Sequence, residues 1–171
     1  MVRKLAVWST VLLFCLSSTG CYFREHTVPF LVPANNHEKL AEKVAFLQSR
    51  CVQVVITGDK IRFIIPTDFY FYPDSAEFRK PQAEVMWTIA SILNECPNPV
   101  YVTGHTDDIG SDRHKHKRSF DQAFTIASYL WESGVAKHRL TVSAFADHEQ
   151  IADDRTVHGS SYNRRVEVRM D

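Results

Sequence analysis

Net charge is the first thing this chain lacks. Its 20 Lys+Arg are matched by 20 Asp+Glu, whereas a nucleic-acid-binding module would carry a basic excess, so that class of partner is set aside. Long apolar runs are missing as well, since no stretch reaches the roughly 18 residues a membrane-spanning helix requires. Catalytic signatures are equally sparse. There is no nucleophile elbow, no P-loop and no dinucleotide-binding glycine fingerprint, so neither an enzyme nor a cofactor is expected. A His/Asp-rich stretch (His105, Asp107, Asp108, His114, His116) is the one hint of a metal. Zinc sites need three or four converging ligands, and His114 and His116 stand two apart on an expected helix, where they point in different directions, so no metal site is expected. What is present is 44% hydrophobic and 23% charged residues over 171 positions. That is the balance of a globular chain of one domain with an adequate core, not of a disordered one.

The amino terminus has a layout of its own. Arg3 and Lys4 precede a mostly apolar run, Leu5 to Leu16, and then the small residues Ser17, Ser18, Thr19 and Gly20. This is the pattern of an export signal. Cys21 follows directly, and the small-small-Gly-Cys ending resembles the bacterial lipoprotein processing site. There Cys21 becomes the first mature residue and carries lipid, palmitate included, each buried CH₂ contributing about 0.8 kcal/mol to membrane attachment. Ser18 stands where such sites prefer Leu. Removing residues 1–20 deletes Arg3 and Lys4 but no acid, which leaves the mature chain slightly acidic. Tyr22, not the Asp associated with inner-membrane retention, follows the cysteine, so the resemblance implies an outer-membrane lipid anchor with the domain on the periplasmic face. Two further cysteines, Cys51 and Cys96, either pair in an oxidising compartment or remain as buried thiols.

Residues 21–36 contain Pro29, Pro33, Asn35 and Asn36 without periodicity and read as a tether. Residues 37–51 read as a helix with Leu40, Val44 and Leu47 on one face and Asn36 as its cap. Val52 to Thr57 and Lys60 to Ile65 are β-branched runs around Gly58-Asp59, a hairpin signal. The aromatic run Phe69 to Tyr72 is read as core and sheet edge. Pro81 opens a helix whose apolar positions are Val85, Met86, Ile89, Ile92 and Leu93, and Trp87 is assigned to core or interface. Val100 to Gly104 is a strand, and His105 to Ser111 a polar loop. Arg113 to Ser133 is a long helix with Phe120, Ala123, Phe124, Ala127, Leu130 and Trp131 as its expected inner face, ended by Gly134. Leu140 to Phe145 is a strand, Ala146 to Ser161 a polar loop with room for a short helix, and Arg165 to Met170 the last strand. In that strand Val166, Val168 and Met170 are expected on a buried face and Arg165, Glu167 and Arg169 on a wet one. The expected fold is α+β: a small mixed sheet with two main helices on one face, plus the extra N-terminal helix.

The segment Val102-Thr103-Gly104-His105-Thr106-Asp107-Asp108-Ile109-Gly110 resembles the Gly-His-Thr-Asp…Gly loop of OmpA-like, peptidoglycan-associated domains. In the same order, Phe69-Tyr70-Phe71 before a helix resembles the family's aromatic strand, the helix with Ser119 and Ala123 lies at the family's spacing, and Asn163-Arg164-Arg165-Val166-Glu167 resembles its terminal strand. The resemblance assigns 52–171 to such a domain. It implies binding of the peptide stem of peptidoglycan at meso-diaminopimelate, a group with an ammonium beside a carboxylate. Asp107, with Thr106 beside it in the motif, would take the ammonium, and a nearby helix N-terminus would favour the carboxylate. The family's cationic fork, an Arg, falls here at Gln122, its helix-start Asn at Lys115 and its Leu before Ser119 at Arg118. Replacing a charged hydrogen bond by a neutral one weakens binding by about 1–2 kcal/mol, about five- to thirty-fold. Arg118, one turn before Gln122, either restores that charge or is a solvated surface residue. Asp74 and Arg164 are secondary candidates, with plainer readings as a turn residue and a sheet-face charge. The overall layout further resembles the DotK/IcmN-type lipoproteins of Dot/Icm (type IVB) secretion systems. This implies other secretion-complex subunits as partners, alongside peptidoglycan and the outer membrane. Two functions are therefore expected, wall anchoring or a structural subunit whose pocket is degenerate.

Overall fold

The computed structural model describes residues 37–171. The signal segment 1–20, Cys21, the tether 21–36 and the Asn36 cap lie outside the described residues. Among the described residues, eleven elements begin with α1 (His37–Ser49), which packs Leu40 and Leu47 into the core. A tight turn through Cys51, at φ 63°, leads into β1 (Gln53–Thr57). β1 and β2 (Lys60–Pro66) form the expected hairpin, with Thr57 opposite Lys60 across Gly58-Asp59 and Gly58 at φ 63°. A short helix α2 (Thr67–Tyr70) follows. α3 (Ala83–Leu93) starts two residues past Pro81 and buries Val85, Met86, Ile89, Ile92 and Leu93, while Trp87 points outward. β3 (Val100–His105) enters the motif loop. α4 (Asp112–Glu132) starts at Ser111, whose hydroxyl accepts from the His114 N–H. A single 3₁₀ turn (Lys137–Arg139) precedes β4 (Leu140–Ala146), then come α5 (Val157–Asn163) and β5 (Arg165–Met170).

The five strands order as β1-β2-β5-β3-β4, with β3 and β4 parallel and the other pairs antiparallel. Val100, Val102 and Gly104 sit opposite Met170, Val168 and Val166, so these pairs share the face that meets the helices. Phe63 and Ile65 of β2 join them, and Met86, Ile89, Ile126 and Leu130 close the core from α3 and α4. The fold is thus α+β with a mixed sheet, as the sequence predicts.

Four expectations need correction. On α4, Phe120, Phe124 and Trp131 are 39%, 57% and 56% exposed, and the inner face is Ser119, Gln122, Ala123, Ile126, Ala127 and Leu130. The cause is close approach. A Cβ added to Gly104 would lie 1.9 Å from the Ser119 carbonyl oxygen, so helix and strand meet backbone to side-chain-free backbone and only small residues fit there. In β5, the face expected to be wet holds Arg165 and Glu167 at 2% and 6% exposure. Arg165 Nε donates to Glu167 Oε1 at 2.8 Å and its Nη2 to the Glu149 carbonyl at 3.0 Å, so the segment after β4 closes over this face. The aromatic run is split: Tyr70 and Phe71 are buried and Phe69 and Tyr72 exposed, because the run ends a short helix instead of extending a strand. Cys51 and Cys96 are free thiols, Cys51 exposed and Cys96 half-buried, so they are neither bridged nor a pair of buried thiols.

Candidate functional site

The loop from β3 to α4 is anchored before it reaches Asp107. The Thr106 N–H donates to the Ala146 carbonyl at 2.8 Å, and the Thr106 hydroxyl to the Asp107 carbonyl at 2.6 Å. Thr106 is buried and committed to shaping the loop. The Asp107 side chain is 3% exposed, and burying a carboxylate is costly unless it is paired and hydrogen-bonded. It is paired twice. Arg118 Nη2 donates to Oδ1 at 3.2 Å and Arg164 Nη1 to Oδ2 at 2.5 Å. Arg118 reaches it from the first half of α4, and Arg164 from the residue just before β5.

Each arginine also holds a second acid. Arg118 Nη1 donates to Asp74 Oδ1 at 2.5 Å. Arg164 clamps Asp68 with Nε to Oδ1 at 2.7 Å and Nη2 to Oδ2 at 2.5 Å, while the Ser161 hydroxyl adds 3.0 Å to Oδ2. Burial raises the Asp68 pKa, but the bonds and charge of Arg164 outweigh it and leave the carboxyl below its ordinary value. Bonding to Asp68, against the cost of burial and with help from Asp107, pushes the Arg164 guanidinium further up. The result is an alternating row, Asp68–Arg164–Asp107–Arg118–Asp74, gathered from α2, the junction of α5 and β5, the motif loop, α4 and the turn at Pro73. Charge-assisted pairs of this kind give a site a fixed geometry as well as energy.

Beside this row is a cavity of about 90 Å³, lined among others by Thr67, Asp68, Phe71, Asp74, Arg79, Arg118 and Arg164. Arg79 is brought in where the chain doubles back, with its N–H donating to the Tyr70 carbonyl at 2.9 Å and its Nε to the Phe71 carbonyl at 2.6 Å. Two acids (Asp68, Asp74) and three guanidiniums (Arg79, Arg118, Arg164) line it, and Asp107 behind Arg118 and Arg164 brings the charges into balance. A neutral cluster rich in both signs suits a ligand that itself carries both.

The candidates from the sequence thus separate. Asp107, Arg118, Arg164 and Asp74 come together, and Arg118 turns inward instead of remaining in solvent. Gln122 lines the cavity but its Nε2 is spent on the Ser75 carbonyl at 2.9 Å, and with Thr125, bonded to Ala76, it pins the turn after Asp74 to α4. Lys115 turns away to Asp147 at 2.5 Å and Asp112 at 3.1 Å, which hold its ammonium pKa up. Asp108 is exposed. Among the described residues, no three His, Cys, Asp or Glu side chains gather as metal ligands would. His105 is 2% exposed, stacks on Phe145 with ring centroids 5.7 Å apart, and leaves both ring nitrogens without a hydrogen-bond partner. Burial, helped by the charge of Arg165, pushes its pKa down to about 4. Asp68 and Arg79 were missed from the sequence. Neither stands at a spacing that marks it, and only the folding back of residues 67–79 delivers them.

A model of the OmpA family matches residues 70–164, more than half of the chain. Probable lipoprotein YiaD of Escherichia coli is 31% identical over 118 residues, covering 68% of this chain and 54% of that protein. Peptidoglycan-binding protein ArfA of Mycobacterium tuberculosis is 31% identical over 99 residues, covering 57% of this chain and 30% of that one. Among solved structures, the cell wall anchor of the T6SS from Pseudomonas aeruginosa has a TM-score of 0.68 and 29% identity, covering 77% of this chain and 95% of that one. The chain therefore spans about half the length of the first of these relatives and under a third of the second.

Proposed function

The chain belongs to the OmpA family, and from that premise we propose that it holds an envelope complex to the cell wall by binding the peptide stem of peptidoglycan at diaminopimelate. The observation that carries this reading is the buried Asp107 held between Arg118 and Arg164 beside a charge-balanced cavity. An ammonium and a carboxylate on one carbon need an anion and a cationic fork a few ångströms apart, and the row of acids and arginines supplies both. Where Gln122 stands in place of the family's Arg, Arg118 from one turn earlier on the same helix keeps a guanidinium at the cavity and holds Asp107 and Asp74 in place. The role is binding and not catalysis. The relatives' names, a lipoprotein, a peptidoglycan-binding protein and a cell wall anchor, support it.

In this reading Cys21 carries the lipid and holds the chain in the outer membrane, and residues 23–36 of the tether, about 14 in number, span at most about 50 Å toward the wall. The anchored assembly is a type IVB (Dot/Icm) secretion complex, of which the chain is a peripheral lipoprotein subunit. A second reading keeps the subunit and discards the pocket, so that protein contacts alone carry the function. The outward row Phe120, Phe124 and Trp131 favours it, because exposed aromatics grouped on one helix face mark contact surfaces.

Co-sedimentation of the detergent-solubilised full chain with purified sacculi separates the two. Wall binding predicts that the wild type pellets and Asp107→Ala does not. A wild type that stays in the supernatant, with Gln122→Arg pelleting, would overturn wall binding in favour of the structural subunit.

A further inference from the structure

A zwitterion in this cavity needs one carboxylate oxygen open to its ammonium and one guanidinium open to its carboxylate. Asp107 offers no such oxygen. It is 3% exposed, Arg118 and Arg164 occupy one oxygen each, and the cavity is lined by both arginines and by Thr106 but not by Asp107 itself. Asp68 lines the cavity, but Arg164 takes both of its oxygens and Ser161 adds to one. Asp74 differs. Arg118 Nη1 at 2.5 Å and the His114 ring at 3.9 Å both meet Oδ1, so Oδ2 is uncommitted among the described residues, and the side chain is 69% exposed. Its backbone sits at φ 53°, a left-handed conformation that Asp tolerates but that carries strain, as residues at ligand sites often do.

The cations sort in the same way. Arg164 spends all three nitrogens on Asp68 and Asp107, and Arg118 spends both terminal nitrogens on Asp74 and Asp107. Arg79 also lines the cavity, yet only its Nε is engaged, by the Phe71 carbonyl at 2.6 Å. That bond orients the guanidinium plane and leaves the terminal fork without a partner among the described residues, which is the geometry a bidentate carboxylate contact requires.

We infer that Asp74 receives the ligand's ammonium and Arg79 its carboxylate, and that Asp107 is a positioning residue behind them, fixing Arg118, which in turn fixes Asp74. The assignment rests on the wall-binding reading above and names that pocket's contacts. It moves the ammonium contact from the buried motif acid to an exposed acid on the turn after α2.

Titration calorimetry of the detergent-solubilised full chain tests it with three probes: the tripeptide L-Ala-γ-D-Glu-meso-diaminopimelate, the same peptide acetylated on the free diaminopimelate amine, and the same peptide amidated on the adjoining carboxylate. Wild type is expected to prefer the unmodified peptide to each derivative by about tenfold. Asp74→Asn, whose side chain keeps the shape and tolerates the backbone, weakens the unmodified peptide and binds it no better than the acetylated one. Arg79→Gln likewise erases the preference over the amidated peptide alone. Asp107→Asn weakens all three probes together and keeps both preferences. If Asp107→Asn erases the preference over the acetylated peptide while Asp74→Asn keeps it, or if both exposed variants keep wild-type ratios, the assignment is overturned and wall binding stands. A wild type that binds none of the three overturns both.

Discussion

Gly104→Ala joins the packing of this fold to the working of its pocket. The added Cβ would fall 1.9 Å from the Ser119 carbonyl oxygen, 2.6 Å from its carbon and 3.1 Å from its Cα. Non-bonded heavy atoms settle at about 3.5–4.0 Å, and a gap of about 0.5–1 Å already forfeits a quarter to a half of each contact's attraction. The obstacle is helix backbone and no rotamer change relieves it, so α4 must retreat from β3 by at least about 1 Å. Overpacking of a core typically costs 1–3 kcal/mol, and a backbone-to-backbone clash belongs at the top of that range, about 3 kcal/mol. Against a whole-domain stability of about 5–15 kcal/mol the protein still folds, with a lower denaturation midpoint. The retreat also carries Arg118, the neighbour of Ser119, away from Asp107, and their 3.2 Å bond is the longest in the acid–arginine row. Gly58→Ala is the control. Gly58 has φ 63° but nothing within 4 Å of the added atom, so it costs only backbone strain, roughly 1–2 kcal/mol, and leaves the pocket alone. Urea denaturation and sacculus co-sedimentation are measured on both variants. A Gly104→Ala protein with an unchanged midpoint and undiminished binding would refute the claim that the glycine exists for close approach.

Two further outcomes are expected. The buried His105 takes up a proton near pH 4 in the folded chain but near 6.5 when unfolded, so the unfolded state binds more protons between those values. Its contribution is whole above about pH 7 and is lost as pH falls toward 4, about 3 kcal/mol across that window; Asp68 and Asp147, whose pKa values are lowered, add their losses only below about pH 4. Denaturation at pH 7 and pH 4.5 is compared for wild type and His105→Gln, and equal slopes for the two would discount the histidine. Separately, labelled palmitate is expected on the wild-type chain and absent from Cys21→Ser; label that persists in the variant would end the lipid-anchor reading.

Much of the fold was legible because its signals are local. The Gly58-Asp59 turn between two β-branched runs needs only neighbouring residues to read, and so does Pro81, which stands two residues before α3 begins. The motif loop was legible for the same reason, and Asp107 with it. α4 shows where such reading stops. Its apolar residues fall on two sides, and periodicity alone cannot say which side is inside. Arg165 and Glu167 read as solvent-facing because alternation cannot foresee a distant segment folding over a sheet.

What the sequence by itself determined is the α+β class, the order of the five strands and the main helices, the hairpin and the family motif, because each depends on residues within a few positions of one another. Only the tertiary structure decided that Phe120, Phe124 and Trp131 face outward, that Arg118 turns in while Gln122 is consumed by the turn it pins, and that Asp74 and Arg79 keep open groups beside a buried Asp107. Asp68 and Arg164 are 96 residues apart in the chain and Arg164 and Asp107 are 57 apart. Pairings over such separations are set by the order β1-β2-β5-β3-β4 and by how closely α4 approaches Gly104, and no local pattern encodes which arginine will reach which acid.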